Sequence, residues 1–146
     1  MKIKIKRRND TATMPTQGSA LAAGYDLYAD LPDGPVTINP GQIQKIPTGI
    51  SADPEEEDVA LCLFPRSGLA AKYGVTLINS IGLIDSDYRG EMAVPLVNHG
   101  QSPVTIQHGD RIAQMVILNI VRAEFEPVEE LPVTDRGAGG FGSTGS

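Results

Sequence analysis

The chain has 146 residues, of which 40% are hydrophobic and 21% charged, with a formal net charge of −6. Those values exclude a disordered chain and leave room for one domain with a real core. The acidic balance excludes a general nucleic-acid binder, which carries a basic footprint.

The first segment, "MKIKIKRR", alternates lysines with Ile3 and Ile5, the pattern of a strand with one wet face at a sheet edge. It has no apolar signal core, and no apolar run in the chain is long enough to span a bilayer, so the expectation is a soluble, cytoplasmic protein without a membrane partner. Eleven prolines and sixteen glycines then cut the sequence into short pieces. Strands are predicted over residues 2–6, 24–28, 36–39, 43–50, 58–64, 76–84, 91–98, 104–107 and 111–121. The acidic run 55–58 reads as a solvated turn into a strand, and only Ser67–Tyr73 has helical composition. A single cysteine, Cys62 in "VALCLF", excludes an intrachain disulfide and reads as a buried small hydrophobe. Unbroken apolar runs such as "MVILNIV" (residues 115–121) predict strands covered on both faces, with a second subunit as one source of cover. The expected fold is an all-β sandwich, barrel or jelly roll with one short helix, as a single domain over 1–146.

Several familiar chemistries find no support. His99 and His108 sit before glycines in turn-like segments without further ligands at zinc spacing. Ser67 in "PRSG" has no evident histidine partner for acyl transfer. What recurs instead is anion chemistry. "PRSGLA" (65–70) sets Arg66, Ser67 and the Gly68 amide at the start of the helix, as an anion site or an ordinary capped turn. "GDRIAQMV" (109–116) puts Gln114 among apolar neighbours, where its amide needs a partner.

"NSIGLIDSDYRGEMAV" (79–94) reads as a β-hairpin turning near residues 86–90, with Asp85 opposite Glu91, Leu83 opposite Ala93, and Asp85 partly buried. Asp85 is then a candidate general base or a turn-capping aspartate. The tail "RGAGGFGSTG" (136–145) is half glycine, yet it holds Arg136 and Phe141. It reads as a flexible linker or as a loop ordered by a ligand. It resembles a phosphate loop lacking the lysine. Backbone amides, Gly142, Ser143, Thr144 and Arg136 suit phosphate oxygens, while Phe141 suits stacking on a base.

These stretches, with "AGYDLYA" (23–29), occur in the order of the five motifs of the trimeric dUTP pyrophosphatases (dUTPases), which the chain resembles over nearly its whole length. The resemblance implies a jelly-roll-like β-barrel, a homotrimer with active sites shared between subunits, and 136–146 as a lid arm. It implies hydrolysis of dUTP to dUMP and pyrophosphate, lowering dUTP and supplying dUMP for thymidylate synthesis. Asp85 would be the general base and Asp26 would hold a water of the Mg²⁺ cofactor. Arg66, Ser67, Gly68 and Gln114 would bind phosphates, with Arg136 on the transferring group and Phe141, Gly142, Ser143 and Thr144 closing over the nucleotide. Asn79, Gly82, Leu83, Ile84 and Ala93 would read the uracil edge, and Tyr88 would lie under the deoxyribose. Two alternatives stand beside this reading: a dCTP deaminase-like or bifunctional enzyme of the same fold, and a non-catalytic nucleotide-binding module.

Overall fold

The computed structural model describes residues 1–140. In chain order the elements are β1 (Lys4–Arg7), β2 (Thr16–Gln17), β3 (Tyr25–Tyr28), β4 (Val36–Ile38), β5 (Ile43–Ile46), β6 (Ile50–Asp53), β7 (Val59–Pro65), α1 (Ser67–Tyr73), β8 (Val75–Leu77), β9 (Gly82–Ile84), β10 (Val94–Asn98), β11 (Val104–Ile106) and β12 (Arg111–Asn119). Every ladder is antiparallel. The largest sheet runs β2-β3-β12-β7-β9, and a second runs β5-β10-β8. Strands distant in sequence are neighbours in both, which is the nested order of a jelly-roll-like β fold. No helix among the described residues is long and apolar enough to cross a membrane.

The core lies between these sheets. Leu27, Ile38, Ile46, Leu61, Leu63, Leu96, Ile106 and Ile112 are fully buried in one cluster. Each such side chain contributes roughly 1.5–3 kcal/mol of burial, the main favourable term for a β domain of this size. Cys62 is buried on β7, and that burial pushes its thiol pKa up. The continuous burial of Val59–Leu63 matches the unbroken apolar sequence there. β12 behaves differently along its length: Ile112, Ala113 and Met115 are buried, whereas Leu118 and the following Ile120 and Val121 are exposed in the single chain.

Two predicted strands are each broken in two. Residues 43–50 form β5 and β6, separated by Pro47-Thr48-Gly49. Gly49 has φ 67°, and a Cβ there would collide with the Asp30 carboxylate and the Ala12 methyl. Only glycine satisfies both demands, so the chain bends and β6 leaves for β1. Residues 76–84 likewise divide into β8 and β9 around Ser80, whose φ is 62°. β8 joins β10, while β9 crosses to β7. β2 escapes sequence reading because two residues carry no periodicity.

The turn after β10 depends on one buried amide. Asn98 is 0% exposed and donates through Nδ2 to the carbonyls of Ile38 (2.9 Å) and Ser102 (2.8 Å), while its Oδ1 accepts from the Gly100 N–H (2.8 Å). The C-cap of α1, Gly74 with φ 71°, packs against Gly100 and accepts the His99 N–H at 2.9 Å. Asn98→Leu strands these three backbone groups without partners. We expect urea denaturation to show a loss of about 2–4 kcal/mol at unchanged m-value.

Candidate active site

Asp26 and Gln114 are paired across β3 and β12, because residues 26 and 114 share one register position. Asp26 is only 8% exposed. Its Oδ1 accepts from Arg66 Nε at 3.0 Å and its Oδ2 from Arg111 Nη1 at 3.1 Å. A nearly buried carboxylate is tolerable because two guanidinium groups share it. Their sum is one uncompensated positive charge at a surface-facing cluster, on a protein whose net charge is −6. Arg66 also donates weakly to the Arg111 carbonyl at 3.4 Å. Gln114 Nε2 lies 3.5 Å from the Pro65 carbonyl, a long contact. Gly24 leaves the space this amide needs, since a Cβ there would sit 3.3 Å from Gln114 Oε1.

Ser67 and Gly68 open α1 exposed beside this cluster, with no acidic side chain in the first turn. Arg111 is a member that sequence reading missed. It opens β12 level with Tyr28, just before the register with β3 shifts between Arg111 and Ala113. The signal available was the tetrapeptide "DRIA", in which an arginine precedes the apolar run.

The second group surrounds β9. The predicted hairpin is not a ladder: among the described residues β9 bonds to β7, with Leu83 level with Cys62, while β10 bonds to β5 and β8. The expected pairings of Asp85 with Glu91 and Leu83 with Ala93 are therefore absent as strand pairs. The two arms belong to different sheets, and the space between them is a cavity of about 270 Å³. Asn79, Gly82, Leu83, Ile84, Asp85, Tyr88, Glu91 and Ala93 line it, as do Lys45, Leu63 and Pro95. Among the described residues β9 is the outermost strand of its sheet, so one edge of its backbone carries N–H and C=O groups with no strand partner there. Gly82 is buried so closely against Leu63 that a Cβ would come within 3.2 Å of the leucine's Cβ. Leu83, 66% exposed, points away from the core.

Asp85 is exposed, which corrects the expected partial burial. It follows the last bonded residue of β9, and the turn begins there: the Tyr88 N–H donates to the Asp85 carbonyl at 3.1 Å. The Tyr88 hydroxyl donates to the Glu91 carbonyl at 3.1 Å, folding the ring back over Gly90. Arg89 bonds Asp53 on β6 at 2.9 Å and the Ser86 carbonyl at 2.7 Å.

The two groups do not meet within one chain. Ile84 is level with Leu61, so Asp85 lies near the start of β7, whereas Arg66 follows its last residue, Pro65. About six residues of strand intervene, on the order of 20 Å, against a hydrogen-bond reach of about 3 Å. Consistently, Asp85 shares a surface cavity with Ile120 and Arg122 beyond the end of β12, while Gln114 is near its start. In the described part of the tail, Arg136 Nε donates to the Gly139 carbonyl at 2.9 Å within its own loop. Phe141, Gly142, Ser143 and Thr144 lie outside the described residues.

The same two clusters, and the order in which the chain supplies them, can be set against known proteins. A dUTPase family model matches residues 10–145. The chain belongs to the dUTPase family. Its relatives there include the deoxyuridine 5'-triphosphate nucleotidohydrolase of Caldanaerobacter subterraneus, 50% identical over 146 residues, covering 98% of this chain and 97% of that one. The enzyme of the same name from Desulfitobacterium hafniense is 48% identical over 145 residues, covering 99% and 95%. Among solved structures, the dUTPase of Staphylococcus bacteriophage 80alpha with dUPNHPP superposes with a TM-score of 0.90 at 26% identity, covering 99% of both chains. Family membership thus spans both the Asp26 cluster and the β9 cavity.

Proposed function

We propose that this dUTPase-family chain hydrolyses dUTP to dUMP and pyrophosphate at sites assembled from more than one copy of itself. The observation that carries the proposal is the free edge of β9 beside Asp85. A pyrimidine lying in that cavity can pair its edge with backbone groups of Gly82, Leu83 and Ile84, with Ala93 on the facing wall and the Asn79 amide at the rim. Uracil offers an acceptor where cytosine offers a donor, so cytosine leaves desolvated groups mismatched, a heavy penalty. The thymine methyl meets a backbone wall held by β7. Tyr88, pinned to the Glu91 carbonyl, is placed to crowd a 2'-hydroxyl.

With the base so placed, Asp85 orients a water toward the α-phosphorus and takes its proton as attack proceeds. The water oxygen bonds to phosphorus, the bond to the bridging oxygen breaks, and pyrophosphate leaves. Phosphoryl chemistry of this kind asks the protein for alignment and charge neutralisation. Arg66 and Gln114, with Ser67, Gly68 and Arg111, form the cationic, donor-rich surface for phosphates. Asp26 holds both guanidinium groups in place before substrate arrives. Arg136 completes the charge balance on the transferring group, and Phe141 to Thr144 close over the nucleotide.

Magnesium fits this chemistry as part of the substrate. Among the described residues no cluster of three or more His, Cys, Asp or Glu forms a metal cage. Each Asp26 oxygen accepts one guanidinium and keeps a lone pair free, enough to hold a water of an ion chelated by the triphosphate. Such an ion supplies charge neutralisation on the phosphates.

Separation of the two clusters within one chain supports a shared site. So does the segment leading to the tail. Val121, Phe125, Leu131 and Val133 are all strongly exposed in the isolated chain, Phe125 at 92%. Apolar exposure on that scale points to a neighbouring copy as cover. A homotrimer is the assembly the family resemblance implies.

Pyrophosphate release from dUTP, dTTP, dCTP and UTP with magnesium, alongside a solution mass, tests the reading. We expect dUTP to be turned over far faster than the other three, and a trimer; ammonia release from dCTP would favour the deaminase alternative. Asp85→Asn should lower kcat by about 10²–10⁴-fold while dUPNHPP still binds within a few-fold of wild type. Removing residues 136–146 should leave the melting temperature nearly unchanged and reduce hydrolysis by about 10²-fold or more, as loss of an electrostatic group on the transferring phosphate does.

A further inference from the structure

Glu91 closes the segment that carries Asp85 and Tyr88, and no role given above uses its side chain. It is half-buried, and its Oε1 accepts two backbone N–H groups, from Thr48 at 3.1 Å and Gly49 at 2.8 Å. Both amides belong to the bend between β5 and β6, where the left-handed Gly49 turns the backbone. A carboxylate collecting two amides is a strong, directional anchor. The stretch around it is bonded to the same region: Met92 N donates to the Ile50 carbonyl at 2.9 Å, and Thr48 Oγ1 donates to the Met92 carbonyl at 2.9 Å.

The other face of Glu91 looks toward the cavity. Its main-chain carbonyl accepts the Tyr88 hydroxyl at 3.1 Å. Gly90 lies beneath that ring, and any Cβ there would overlap it. Ala93, two residues on, is part of the opposite wall. One residue therefore fastens the body of the fold with its side chain and the ring of Tyr88 with its backbone.

We infer that Glu91 is a positioning residue: its carboxylate on the Thr48 and Gly49 amides fixes where the Tyr88 ring and the Ala93 backbone stand, and so sets the preference for a deoxyribose. The inference rests on the proposed reading of this cavity as the nucleoside site of dUTP. The Asp85 side of the turn has its own anchors. Arg89 bonds Asp53 and the Ser86 carbonyl, and Ser86 Oγ donates to the Glu57 carbonyl at 3.2 Å. Loss of the Glu91 carboxylate is accordingly felt by Tyr88 and Ala93 more than by Asp85. The position demands an acceptor oxygen at the right reach. Glutamine provides one at the same chain length, aspartate falls one methylene short, and alanine provides none.

Kinetics of the full chain with magnesium, on dUTP and UTP, test this with Glu91→Ala, Glu91→Gln and Glu91→Asp. For Glu91→Ala we expect KM for dUTP to rise about tenfold, kcat to change less than about threefold, and the preference for dUTP over UTP to fall about tenfold. Glu91→Gln should stay within about threefold of wild type in all three, with Glu91→Asp between. Wild-type KM and UTP rejection in Glu91→Ala overturn the assignment. So does Glu91→Gln proving as impaired as Glu91→Ala, or a loss confined to kcat. If thermal melting shows that Glu91→Ala does not fold, the contrast of Glu91→Asp with Glu91→Gln decides the matter, and equal kinetics overturn it. A wild-type protein that leaves dUTP uncleaved defeats the proposed function itself, a result visible before any variant is compared.

Discussion

A strand bonded along one edge leaves its other edge with donors and acceptors that something must satisfy. Gly82–Ile84 is such a strand, fastened to β7 and facing a cavity instead of a partner. In most sheets an open edge is a hazard to be hidden. Here the opposite arm is drawn away by its bonds to β5 and β8, so the gap persists in the folded chain. The unpaired backbone is the feature from which base recognition is proposed, because backbone groups cannot swing aside to accept the wrong ring.

The gap is kept open by bonds distant from it. Pro47-Thr48-Gly49 breaks what would be one long strand, sends β6 to β1, and offers two amides to Glu91. The same bend packs its glycine against Asp30, whose carboxylate is held by Asn9 Nδ2 at 2.6 Å and by the Thr11 hydroxyl. Buried polar groups in this corner are satisfied, which lets it serve as a rigid anchor instead of a source of strain. A turn carrying reactive side chains on an exposed loop gains its precision from such anchors.

Charge follows a parallel logic. An acidic protein attracts a polyanion only where cations are focused, and Asp26 focuses two of them. Its carboxylate holds both guanidinium groups in one place at the end of β3 and β12, while the general-base candidate lies at the far end of β7. That separation makes a single chain an incomplete catalyst under the proposed mechanism. Association then becomes part of the chemistry, and the exposed apolar residues after β12 supply a reason for copies to associate.

Much was legible in the residues themselves. The turn clusters marked the strands, the Ser67–Tyr73 helix came from local composition, and the burial of Cys62 on β7 came from its apolar neighbours. The motif residues stood out as candidates because their types suit the proposed chemistry: a carboxylate for a proton, arginines for phosphate, glycines for close approach. What sequence could not decide was partnership. Residues 43–50 and 79–94 read as continuous because local periodicity knows nothing of which sheet will claim each half. Only long-range pairing split them, exposed Asp85, opened the cavity between β9 and Ala93, and brought Arg111 and Arg66 onto one carboxylate. Local composition determines which residues can do chemistry; the hydrogen bonds between distant strands determine which of them stand together.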